Sequence, residues 1–138
     1  SARGPLDGMV FRGEFGPSGE SADRVDTLHF NDGRFWSANC VPCGFPPGVY
    51  WVRRVGESIH FRGTMQSGNS GTFTYRGEVE DGQIMATIHW RKERWYWTID
   101  REFQFQGRAV AHDQRVSPVT VRERALAGGP APGRDCAP

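Results

Sequence analysis

Cys40-Val41-Pro42-Cys43 is the segment of this chain with the plainest capacity for chemistry, because it holds two thiols at the spacing of a redox or metal-binding pair. A redox dithiol needs the positive end of a helix to stabilise its thiolate, and no helical pattern follows here. Covalent haem attachment needs a histidine in the next position, where Gly44 stands. Zinc would need two further ligands, and the sequence has no second pair of this kind. A structural disulfide is therefore expected, either from Cys136 to one of these residues or between the two, with inert thiols as the remaining case. With three cysteines in all, the redox compartment stays open.

Arg101 is the most discriminating single residue. In an extended segment from Trp95 to Phe105 it shares a face with Trp97, Ile99, Phe103 and Phe105. A guanidinium turned into an apolar interior needs a counter-charge, since it does not give up its proton. The carboxylate of a ligand could supply that charge, and so could Asp26, which shares a face with Leu28 and Phe30. A bulge near Asp100 would instead turn Arg101 to solvent. A small apolar or anionic ligand inside would meet Arg101 and Tyr75 at its polar end, with Phe61, Trp90 and Trp97 along its body.

Aromatic density peaks at Trp90, Trp95, Tyr96 and Trp97. Rings of this kind stack on bases or sugars, fill a small core, or anchor a protein contact. A net charge of +1 with both signs interspersed gives nucleic acid nothing to hold. That leaves Trp95 and Tyr96, with Arg122 and Arg124 further along, as candidate contacts for a protein partner. The histidines (His29, His60, His89 and His112) are scattered, and alternation puts His60 and His89 on an outer surface. No metal set, cofactor fingerprint, phosphate loop or Ser-His-Asp order is present. Asp100 and Glu102 share a face with Thr98 and Gln104, as an exterior pair would.

These residues are positioned by a phrase that recurs four times: Phe11-Arg12-Gly13-Glu14-Phe15, Phe61-Arg62-Gly63-Thr64-Met65, Tyr75-Arg76-Gly77-Glu78-Val79 and Phe105-Gln106-Gly107-Arg108-Ala109. Alternation along a strand puts the aromatic, the glycine and the last apolar residue on one side, and the polar residues on the other. A glycine on the apolar side lets the strand bend, or lets a ring lie over bare backbone. Candidate strands run over Met9–Phe15, Val25–Phe30, Arg34–Asn39, Val49–Arg54, Ser58–Met65, Thr72–Val79 and Gln83–Trp90, with a long one ending near Gln106. Asn31-Asp32-Gly33 and Asp81-Gly82 are tight-turn signals between them. Eight strands joined mainly by short connections favour an antiparallel up-and-down barrel over a two-sheet sandwich, which would need longer crossovers. No apolar run approaches the ~20 residues of a membrane-spanning helix, and the charged outer faces argue against a membrane barrel.

Past residue 109 the composition changes, so we divide the chain into a barrel domain over 1–109 and an extension over 110–138. Ser117-Pro118 and Gly128-Gly129 bracket a short helix at about 118–127. The Gly/Pro/Ala-rich stretch beyond it is too poor in apolar residues to order alone. A Cys136 disulfide or a protein partner would have to hold it.

The stretch Thr27-Leu28-His29-Phe30-Asn31-Asp32-Gly33-Arg34-Phe35-Trp36-Ser37-Ala38-Asn39-Cys40, with Gly44-Phe45 and Tyr50, resembles a group of small bacterial secreted domains. Their pattern is T-L-x-F-x-D-G-x-F-x-S-x-x-C-x-x-x-G-F, and they are similar to the calycins (lipocalins, fatty-acid-binding proteins and avidin-type barrels). The resemblance implies a calycin-like barrel and a periplasmic or secreted location, and it transfers no activity. The early G-x-W of lipocalins is missing, and Cys43 stands where the group usually has an aromatic. The expected fold is thus all-β, an eight-stranded antiparallel calycin-like barrel with a short C-terminal helix and an irregular tail. The bulk of the inward residues leads us to expect little free volume. Three functions remain open. They are a non-enzymatic accessory or interaction subunit using its tail and Trp-rich strand, a carrier of a small apolar or anionic molecule, and a shape-driven isomerase or cyclase.

Overall fold

The computed structural model describes residues 5–68, 70–93, 95–112 and 117–128, with the side chains of 111, 112 and 128 excepted. The strands are β1 (Met9–Pro17), β2 (Arg24–Asn31), β3 (Arg34–Ser37), β4 (Gly48–Val55), β5 (Ser58–Ser67), β6 (Gly71–Glu80), β7 (Gln83–Glu93) and β8 (Thr98–His112). Each pairs antiparallel with the next, and β1 pairs with β8, so the sheet closes into an up-and-down barrel in sequence order. A 3₁₀ turn (Val41–Cys43) sits in the β3–β4 connection, and one helix, α1 (Pro118–Gly128), follows the barrel.

Turn chemistry sets the register. Asp32-Gly33 and Asp81-Gly82 each have positive φ at both positions (53° and 75°, 52° and 73°), as two-residue hairpin turns require. They lock Asn31 opposite Arg34 and Glu80 opposite Gln83. A slip of one residue would carry every ring to the wrong face.

The apolar face closes on itself as a chain of rings. Phe30 touches Phe11, Phe35, Tyr50 and Phe61 at centroid distances of 5.8, 5.9, 5.1 and 5.4 Å. Phe35 leads on to Tyr75 at 5.1 Å, and Phe45 to Phe73 at 4.9 Å. Trp90 stacks on Phe73 at 6.2 Å and its indole N–H donates to the Ser70 carbonyl (2.8 Å). The repeated glycines serve both expected purposes. A Cβ at Gly63 would stand 2.3 Å from the Phe35 ring, so that ring occupies the place of the missing side chain. Gly13 and Gly107 lie directly opposite each other across β1 and β8, where a Cβ on Gly13 would come within 2.0 Å of the Gln106 carbonyl oxygen.

Most strands run one to three residues beyond the sequence-based expectation, and β3 and β8 depart from it in ways that matter for the site. β3 stops at Ser37 rather than Asn39, because the Asp26 carboxylate takes the Asn39 N–H (3.1 Å) and the Ser37 hydroxyl and pulls the chain out of the ladder. β8 starts at Thr98, not near Trp95, and it runs on to His112, past the boundary drawn at 109. Its last residues pair with β1 through a register shift at Val10/Phe11, and both of those residues are buried.

At one end of the barrel the segment ahead of β1 folds across the opening. Leu6 is fully buried, Gly8 N–H donates to the Phe30 carbonyl (2.6 Å), and Asp7 accepts the Tyr50 hydroxyl (2.5 Å) and the Gly33 N–H (3.1 and 3.2 Å). α1 packs on the 3₁₀ turn and contributes Val121 and Ala125 to the core. Among the described residues no helix is long and apolar enough to cross a membrane.

Candidate functional site

The residues proposed to line an internal ligand site are not brought together. Phe61, Tyr75 and Trp90 are buried within the packed interior, at 3%, 2% and 6% exposure, whereas Trp97 is 55% exposed and Arg101 is exposed. Trp97 precedes β8, so strand alternation does not govern it. Arg101 lies opposite Trp90 in an uninterrupted register, so no bulge at Asp100 turns it out. It stands only three residues from the start of β8, where a long side chain reaches water from the barrel mouth. Asp26 is not its partner either.

Asp26 instead centres a buried polar cluster. It accepts the Ser37 hydroxyl, the Thr27 N–H (2.7 Å) and the Asn39 N–H (3.1 Å). Burial pushes its carboxyl above the ordinary aspartate value, and the three hydrogen bonds oppose that shift. Cys40 and Tyr75 complete the group through Ser37. Burial raises the Tyr75 phenol far above its usual range, with Cys40 and Asp26 adding to the effect. Cys40 as a residue is half-buried, but its thiol faces the cluster, and desolvation pushes it up to about 12. The group is shut from solvent, with Asp26, Ser37 and Tyr75 at 6%, 0% and 2% exposure. It acts as a polar clasp that fixes the β3–β4 connection. Among the described residues no buried side-chain polar atom lacks a partner.

The cysteine spacing proves structural on one side. Cys43 is disulfide-bonded and Cys40 is a free thiol, so the two are not joined to each other. Cys136 lies outside the described residues, as does the side chain of His112. His60 pairs with Glu78 (3.4 Å) and His89 with Asp100 (3.2 Å), both on the outer surface where alternation placed them. His29 stacks flat on Trp36, with ring planes 2° apart. Among the described residues no three His, Cys, Asp or Glu side chains converge as a metal site would require.

The β7–β8 connection carries the most conspicuous surface feature. Trp95, Tyr96 and Trp97 are 93%, 55% and 55% exposed, and their rings touch in series at 4.8 Å each. The sequence showed the aromatic density, but strand propensity assigned Trp95–Trp97 to a strand, and only the structure puts all three rings in water. Arg122 and Arg124 are also exposed, on α1. The residues that sequence reasoning missed are Asp7 and Ser37, whose roles depend on partners remote in the chain. The sequence matches no family model, no curated protein and no solved structure.

Proposed function

We propose that this chain is a non-enzymatic, calycin-like β-barrel module that docks on a protein partner through the rim Trp95-Tyr96-Trp97. The observation that carries the reading is the continuous exposed run of three rings, in edge-on and tilted contact, at one barrel opening. Leaving such surface in water forfeits roughly 25 cal/mol per Å² of burial, and Trp and Tyr are the residues that most often dominate protein contacts. The strands follow one another around a closed barrel, and strand pairing is short only at the β3–β4 seam, away from the rim, so the rim would hold a partner by side chains rather than by strand addition. Arg122 and Arg124, with the tail beyond α1, are further contacts in this reading. The Cys43 disulfide favours an oxidising compartment, in keeping with a periplasmic or secreted protein.

A photo-crosslinking residue at Tyr96, introduced into the protein in its producing cells, tests the proposal. The expected result is one stoichiometric protein adduct that disappears when Trp95 and Trp97 are changed to alanine. Absence of any adduct, or native mass spectra showing a retained small molecule and no protein partner, would overturn it.

A further inference from the structure

From the outer wall between β7, β8 and β1 we infer a second binding site, for a small organic anion with an apolar body. A groove of ≈ 480 Å³ lies there, lined by Arg12, Arg108, Gln83, Gln106, Met85 and Val110 among others. The groove is shallow and open to solvent, so it would cover one side of a small molecule rather than enclose it. A barrel wall is ordinarily convex, and the depression has a local cause. Gly13 and Gly107 face each other across β1 and β8, and the absence of side chains there lets the two backbones approach closely beneath the groove.

The charge arrangement defines the ligand. Arg12 and Arg108 are direct cross-strand partners on this face. Like charges in that position destabilise a sheet. Among the described residues neither guanidinium is ion-paired. Glu14 also lines the groove, but it stands opposite Gln106, and one carboxylate against two guanidiniums leaves an excess positive charge. A carboxylate, sulfate or phosphate group set between the two planar forks would take hydrogen bonds from both. Met85 and Val110, 51% and 58% exposed, provide the apolar surface on which the body of such a molecule rests. This ligand sits on the outside of the barrel, whose interior is occupied by rings.

Phenyl phosphate is a suitable probe, followed by the amide resonances of Gly13 and Gly107 in the intact protein. Saturable shifts are expected at both, with affinity about tenfold lower in Arg12→Gln and in Arg108→Gln. Arg54→Gln, an exposed arginine on β4 outside the groove, should leave affinity unchanged. Phenol and inorganic phosphate should each bind more weakly than the joined molecule. Without the probe, Arg108→Gln should melt no lower than the parent, because it relieves a like-charge pair. The inference fails if the shifts never saturate, if Arg54→Gln weakens binding as much as Arg108→Gln, or if phosphate alone binds as tightly as phenyl phosphate. A lower melting point for Arg108→Gln would mark that arginine as structural and would also overturn it.

Discussion

Asp26 joins three backbone or side-chain donors from two segments, and that makes its protonation a handle on stability. Because burial raises its folded-state pKa, the native protein binds this proton more readily than the unfolded chain does. The contribution is fully present below the unfolded pKa and is lost as pH rises through the folded one. Urea unfolding followed upward from pH ~4 should therefore show the parent losing ground to Asp26→Asn. At neutral pH Asp26→Asn should remain within about 1 kcal/mol of the parent, whereas Asp26→Ala, which orphans the Ser37 hydroxyl and two N–H groups, should lose about 3 kcal/mol. Cys40 offers a second check at this scale. With its thiol pushed up to about 12, alkylation at pH 8 should be slower in the folded protein than in the denatured one, by on the order of a hundredfold or more. Equal rates would mean that the thiol does not face the cluster.

The elements test the glycine phrase. Gly63→Ala drives a methyl group into the Phe35 ring, an overpacking that should cost about 1–3 kcal/mol. Gly13→Ala meets the backbone of Gln106 and Gly107, which yields less readily than a ring, and should cost about 3 kcal/mol or more. Gly68→Ala, with nothing within 4 Å, should shift the unfolding free energy by no more than ~0.5 kcal/mol. The same phrase explains why the architecture could be read from the chain. Alternation of Phe61, Tyr75 and Phe105 against Arg62, Arg76 and Gln106 has only one consistent burial, and the Asp-Gly turns pin its register. Local pattern failed where a remote group intervened. Asp26 cut β3 short, and nothing within Arg34–Asn39 announces that. Trp95–Trp97 read as strand because aromatic residues favour strands, a preference that exposure at a hairpin end overrides.

For the whole molecule, the docking role proposed for the aromatic rim can be separated from stability. Trp95→Ala and Trp97→Ala remove rings that bury little, so unfolding free energy should move by no more than ~0.5 kcal/mol. Affinity for a cognate partner should fall by about 2 kcal/mol or more per ring, as at interface hot spots. A titration of the isolated partner against both variants, with melting curves alongside, distinguishes this from a rim that merely props up the barrel. The candidate sites were less legible than the fold. The opposition of Arg12 and Arg108 exists only once the first and last strands are in register, 96 positions apart. For Arg101 alternation left two faces open, inward or turned out by a bulge at Asp100; the register is uninterrupted, and depth along the barrel axis, which sequence periodicity does not report, decides its exposure.

Sealing the first strand with the last has a kinetic consequence. On the ribosome, β1 emerges roughly ten seconds before the end of β8, at synthesis rates of about 5–20 residues per second. Through that interval the nascent sheet presents two unsatisfied borders, each able to recruit a neighbouring copy in place of its own missing half. Premature termination before Gly107 would make that vulnerability permanent.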